Sequence, residues 1–231
     1  MKEKIYLLPG LMTDERLWQR LIPRLEEYEL IHIPIPNLTD FDKINDYLLD
    51  LFKGEKVNLL GFSLGGYIAS YFAVKYPSLV NRLFLVGATP SSTNEKEIQR
   101  RKGKIEHIEK SGFKGLSIEK TISLLEAQNQ NDKELINIVK SMFDDLGKEA
   151  FISQLSSTFN RKNLFEGLKE LRIPIHFFYS KTDRLLNFNS INELLEKEHN
   201  MKVLSREGTS HMIPLEDPEG LSFKIKDWLK V

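Results

Sequence analysis

Short apolar runs alternate along this chain with segments in which apolar residues recur every three or four positions. Lys4–Leu8, Leu30–Ile35, Val57–Gly61, Leu83–Gly87, Ile173–Ser180 and Met201–Ser205 are continuous rather than alternating runs. That pattern predicts strands covered on both faces. Between them, Phe41, Ile44, Leu48, Leu51 and Phe52 form a helical stripe that stops at Gly54, the expected C-cap. Tyr67 to Tyr76 closes at Pro77, and Leu221, Ile225, Trp228 and Leu229 mark a last helix with Pro218 near its start. Strand–helix alternation of this kind implies a parallel α/β sheet.

The alternation breaks once. From about Ser91 to Gly167 there is no strand run, only helical patterns. Asn131-Asp132-Lys133-Glu134 reads as an N-cap at Asn131 with Glu134 in the third helical position. Leu135, Ile138, Val139, Met142 and Phe143 then follow at helical spacing. The expected organisation is a core of residues 1–90 and 168–231, with an all-helical cap of residues 91–167 inserted after the fourth strand. Such a cap lies as a lid over the C-terminal edge of the sheet.

Composition narrows the function classes. A chain of 231 residues with 41% hydrophobic positions suits one domain, or one domain with an insertion. Lys plus Arg and Asp plus Glu both number 33, and this zero formal charge argues against a general nucleic-acid binder. The absence of cysteine removes disulfides, thiolate nucleophiles and Cys-ligated zinc. No apolar run approaches the roughly 18 residues of a membrane span. The opening Ile5-Tyr6-Leu7-Leu8 is broken at Pro9-Gly10 and followed by Thr13-Asp14-Glu15-Arg16 without a cleavage site, so it is expected to be a buried strand of a cytoplasmic protein.

The chemistry concentrates in Val57-Asn58-Leu59-Leu60-Gly61-Phe62-Ser63-Leu64-Gly65-Gly66. This is G-x-S-x-G with a strand before it and a helix after it. A strand-to-helix turn that sharp needs glycine on both sides of the serine, and it holds Ser63 in a strained conformation with its hydroxyl outward. An ordinary glycine-containing turn is the plainer alternative. Phosphate-loop patterns are absent.

A serine hydroxyl needs a base, normally a histidine oriented by a carboxylate. Of five histidines, His32 and His176 lie in strand runs, His107 in the helical stretch and His199 in a polar loop. His211 follows the last strand, at the same sheet edge as Ser63, and is the expected base. Asp183, just past the fifth strand run, is the expected acid, a turn residue being the plainer account. Asp217 reads instead as the N-cap before Pro218. The oxyanion donors are expected to be the backbone N–H groups of Leu64 and, in Pro9-Gly10-Leu11-Met12, of Leu11.

With these pieces in place, the chain resembles the α/β-hydrolase superfamily along essentially its whole length. Within it, the look is that of small cap-bearing esterases such as pimeloyl-carrier-protein methyl esterases and enol-lactonase-like hydrolases. The resemblance implies six parallel strands in the order 2-1-3-4-5-6 and a cofactor-free, metal-free serine carboxylesterase acting through an acyl-enzyme. Departures are Pro9-Gly10 for the usual His-Gly, and Ser180 and Ser210 where glycines are usual. Lactone hydrolysis, acyl transfer, a lyase step or a non-catalytic ligand binder are the alternatives.

Met12, Met142, Phe143, Phe159 and Met212 are the candidates for an apolar acyl pocket, although packing of the cap onto the core explains each of them as well. Arg101, in the basic cluster Arg100–Lys104, falls within the Ile98, Ile105, Ile108 stripe. There it is a candidate for a substrate carboxylate or an acidic carrier protein, against the plainer reading of a solvated face. The expected partner is a small ester or thioester, and the expected assembly a monomer or homodimer.

Overall fold

Alternate side chains of a strand point to opposite faces, so a strand that is apolar throughout must feed two cores. In the computed structural model, which describes residues 2–196 and 201–230, the strands do this. They are β1 (Lys4–Leu8), β2 (Glu29–His32), β3 (Val57–Phe62), β4 (Val80–Val86), β5 (Ile175–Ser180) and β6 (Met201–Arg206). They form one parallel six-stranded sheet in the order β2-β1-β3-β4-β5-β6. Leu59, Leu83, Leu85, Ile175 and Phe177 enter one core, whereas Leu60, Phe62, Phe84, Val86 and Phe178 enter the other.

The first core is closed by α1 (Phe41–Phe52) and α2 (Leu64–Lys75). Leu64 through Ala73 of α2 are all buried, because the helix is sandwiched between the sheet and other helices. Asp40 caps α1 by accepting the N–H of Asp42 at 2.7 Å. The left-handed turn that ends α1 begins at Lys53 (φ 50°), one residue before the expected Gly54 (φ 79°).

Between β4 and β5 the described chain is helical: α3 (Glu95–Ser111), α4 (Ile118–Ile122), α5 (Lys133–Ser157) and α6 (Phe165–Glu170). Asp132, not Asn131, caps α5 by accepting the N–H of Leu135 at 2.9 Å, which moves Glu134 to the second helical position. Gly147 (φ 73°) kinks α5. Its first half, with Met142, joins the second sheet core, while Phe151 and Leu155 of its second half pack with Met12. After β5 come α7 (Phe188–Glu196), β6, α8 (Ile213–Glu216) and α9 (Pro218–Leu229), the last covering the second core. His199 lies outside the described residues.

Prolines explain where strands differ from expectation. The final rung of β2 is Ile33 N–H to Leu7 C=O at 2.9 Å, and Pro34, without an N–H, ends the ladder short of Ile35. Pro174 likewise delays β5 to Ile175, though its carbonyl accepts from Leu83 at 3.0 Å. Polar Asn81 and Arg82 hid the start of β4, which pairs from Val80 onward.

His176 lies buried in β5, 5.8 Å from the Phe84 ring and beside Lys202 of β6, with Nδ1 unpartnered. Burial first, then the charge of Lys202, pushes its pKa from 6.5 down to about 4. Below pH 6.5 the unfolded chain therefore binds the extra proton, and stability falls as pH drops toward 4. Denaturant titrations at pH 7 and pH 5 should show a smaller loss of stability for His176→Gln than for the parent protein.

Candidate active site

The turn from β3 into α2 leaves no room for side chains. A Cβ on Gly61 would sit 2.4 Å from the Gly65 carbonyl oxygen, and one on Gly65 would sit 2.3 Å from the carbonyl oxygens of Leu8 and Pro9. The two glycines thus serve different contacts, one within the turn and one against the end of β1. Ser63 takes φ 51° and ψ −112°, a strained conformation for a residue with a side chain, and its N–H is held by Val86 C=O at 2.9 Å.

Ser63 Oγ lies 3.0 Å from His211 Nε2, and His211 Nδ1 lies 2.6 Å from Asp183 Oδ2. Asp183 is fully buried, and its second oxygen accepts the Leu185 N–H at 2.9 Å. That short bond to a buried carboxylate selects the tautomer with the proton on Nδ1, leaving Nε2 free to accept from the serine. Phe62 backs the imidazole at a ring separation of 5.0 Å.

The loop after β1 lies beside this group. Gly10 N–H is taken by Thr13 Oγ1 at 2.7 Å and Met12 N–H by Gln154 Oε1 at 2.8 Å. The N–H groups of Leu11 and Leu64 meet no acceptor among the described residues, and both residues line the cavity that Ser63 and His211 share. This cavity measures about 480 Å³. No cluster of candidate metal ligands occurs among the described residues, and none of their helices is long and apolar enough to cross a membrane.

A family model described as the alpha/beta hydrolase fold matches residues 23–105. Over 226 residues, the chain is 25% identical to a pimeloyl-acyl-carrier-protein methyl ester esterase of Legionella pneumophila, covering 90% of this chain and 87% of that protein. It is 22% identical to a biotin biosynthesis bifunctional protein of Teredinibacter turnerae over 98% of its own length, and spans 44% of that protein. A thermophilic esterase from Thermogutta terrifontis superposes with a TM-score of 0.85 at 20% identity, covering 99% of this chain and 89% of that chain. The enol-lactonase from Burkholderia xenovorans gives 0.85 at 15% identity, covering 100% and 92%.

The chain has the α/β-hydrolase fold.

Against that fold, the expected substrate contacts divide. Of Met12, Arg101, Met142, Phe143, Phe159 and Met212, only Arg101 lines the cavity shared by Ser63 and His211. Met142 is fully buried in the second sheet core, together with Met212. Phe143 stacks with Phe113 and meets Phe151 at a tilt inside the helical segment, Met12 packs against that group, and Phe159 lies under Lys102. Helical spacing reports only that a residue faces something apolar, which for Met142 is the sheet core and for Phe143 the aromatic group within the helical segment. The cavity wall is instead rich in hydroxyls and cations, with Thr89, Ser91, Ser92, Thr158, Arg161 and Arg184 among its residues. None of these stood out in the sequence, because isolated polar residues in loops carry no periodicity.

The Ser180 hydroxyl and the backbone of Ser210 tie the loop that carries Asp183 to the loop that carries His211. Ser180 Oγ donates to Ser210 C=O at 2.7 Å, and Thr182 N–H donates to Gly208 C=O at 3.1 Å. Glu126, reaching in from the helical segment, accepts the N–H groups of Thr209 and Ser210 at 2.9 and 3.0 Å. It also pairs with Arg206 at 2.9 Å, while Arg206 Nε meets Asp217 at 2.9 Å. Burial alone would raise the Glu126 pKa, but Arg206 and the two amides prevail and hold it below the ordinary range.

Two outcomes follow for stability. Glu126→Gln should cost about 1.5–3 kcal/mol and speed hydrogen exchange at the Thr209 and Ser210 amides. Met142→Ala should cost about 2–5 kcal/mol in denaturant unfolding as a buried cavity opens.

Proposed function

We propose that the chain is a serine hydrolase that cleaves a carboxylic ester through an acyl-enzyme. The observation that carries this reading is the continuous hydrogen-bonded line from Ser63 Oγ through His211 to buried Asp183. In the first half-reaction His211 Nε2 takes the hydroxyl proton as Ser63 Oγ bonds to the ester carbonyl carbon. The negative charge that develops on the carbonyl oxygen is met by the N–H groups of Leu64 and Leu11. Collapse breaks the bond to the alcohol oxygen, which leaves with the proton from His211 Nε2. Water then repeats the sequence: His211 takes its proton, its oxygen bonds to the acyl carbon, and Ser63 Oγ leaves reprotonated with the acid released. Asp183 keeps its negative charge throughout and balances the imidazolium.

The relatives' own names include an ester on an acyl-carrier protein and an enol-lactone. Free esters, carrier-linked esters and lactones therefore form the substrate panel. Arg100 and Lys104, both exposed at the cavity wall, are the residues that an acidic carrier would meet.

Ser63→Ala should abolish both ester turnover and labelling by a fluorophosphonate, with an unchanged circular dichroism spectrum. Turnover that survives in that variant would refute the mechanism. Asp183→Asn should lower kcat on the order of 10²–10⁴-fold, because the amide no longer selects the tautomer or balances the charge. Asp217 caps α9 through the Gly220 N–H at 3.0 Å and pairs with Arg206 at 2.9 Å, so Asp217→Ala should lower the melting temperature while kcat stays near the parent value.

A further inference from the structure

The chain carries equal numbers of positive and negative side chains, yet the wall of the Ser63 cavity does not. Five of its residues are cationic, Arg100, Arg101, Lys104, Arg161 and Arg184, and one, Glu97, is anionic. Glu97 is already committed, since Arg100 and Arg101 each reach its Oε1 at 2.7 Å. Arg161 forms an ion pair with no carboxylate among the described residues, and its Nε is buried without an acceptor.

Arg161 is nonetheless held firmly. Its guanidinium lies 4.5 Å from the centre of the Tyr67 ring. Tyr67 stands four positions after the nucleophile on α2, and its hydroxyl fastens the neighbouring backbone, donating to Lys162 C=O at 3.1 Å and accepting its N–H at 2.7 Å. Burial first, and then repulsion from Arg101, lowers the Arg161 pKa to about 10, which still leaves a cation at neutral pH. The residue is half-buried, and a guanidinium drawn partly out of water with no carboxylate in contact is stabilised when a ligand supplies the charge. The planar fork of a guanidinium fits a carboxylate with two parallel hydrogen bonds.

We propose that Arg161, with Arg101 beside it, binds a carboxylate carried by the substrate, so that the preferred small esters are half-esters of dicarboxylic acids. The kinetic part of this inference rests on the serine-hydrolase reading, but the binding part does not. A guanidinium also accepts phosphate, and the test therefore includes a coenzyme A thioester.

The kinetic measurement is kcat/KM for monomethyl and dimethyl glutarate, compared as a ratio. The parent protein should favour the half-ester, and Arg161→Leu should lower the ratio by about 10- to 100-fold, chiefly through KM, with Arg161→Lys in between. The binding measurement is calorimetric titration of Ser63→Ala with monomethyl glutarate. Adding Arg161→Leu to that protein should weaken binding by a similar factor. Should Arg161→Leu fail to fold, Arg161→Lys and Arg101→Gln carry the same comparison. A parent protein that prefers the diester would overturn the proposal, as would a ratio and an affinity that ignore Arg161. Arg161-dependent turnover of butyryl coenzyme A, with monomethyl glutarate ignored, would assign the site to phosphate and overturn it equally. If no ester is cleaved and no fluorophosphonate label enters, the hydrolase reading fails, and the titration of Ser63→Ala still decides the carboxylate site.

Discussion

Everything at this site depends on how closely three backbones approach one another. The end of β1, the turn after β3 and the first residues of α2 meet where a single Cβ on Gly65 would fall 2.3 Å from two carbonyl oxygens. Without side chains there, the loop that carries Leu11 can lie directly beside the serine, and Ser63 can be held at φ 51° by its surroundings. The strain is local and is offset by burial elsewhere: Leu64 through Ala73 of the helix that follows are all buried. A bulkier turn would displace Ser63 and separate it from the N–H groups of Leu11 and Leu64 in one step.

The rest of the site is assembled by polar contacts between loops. Asp183 and His211 come from different connections, and their relative position is fixed by Ser180, Thr182, Arg206 and Glu126 bridging the two. Buried polar networks stabilise only when every member is paired. Here Glu126 has a partner on each side, and its charge is stabilised by the amides that precede His211. Orientation of the imidazole thus draws on a residue 85 positions away in sequence, as the numbering of Glu126 and His211 shows.

The layers of the fold were legible because doubly covered strands must be apolar throughout and covering helices must repeat their apolar positions. That Ser63, Asp183 and His211 would meet could be read from the G-x-S-x-G context and from their places after β3, β5 and β6. The cavity wall could not. Its apolar candidates answered to helical periodicity, which Met142 and Phe143 satisfy by packing within the protein. Its actual lining includes Arg161, a lone arginine in a connection, whose position depends on a tyrosine hydroxyl and ring 94 residues earlier. Ser180 and Ser210 read as departures from the fold's usual glycines, and only in three dimensions do they become a bond between two loops.

The kink at Gly147 divides labour along the helical segment. One half of α5 is anchored in the sheet core, and the other half holds the Leu11 loop through Gln154 and Met12. By contrast α3, which brings Arg100, Arg101 and Lys104 to the cavity, has no fully buried residue. Exposed helix positions tolerate substitution at small cost in stability. Substitutions along α3 can therefore change the charge of the cavity wall at little cost in stability, whereas changes in the second half of α5 would loosen the Leu11 loop it holds.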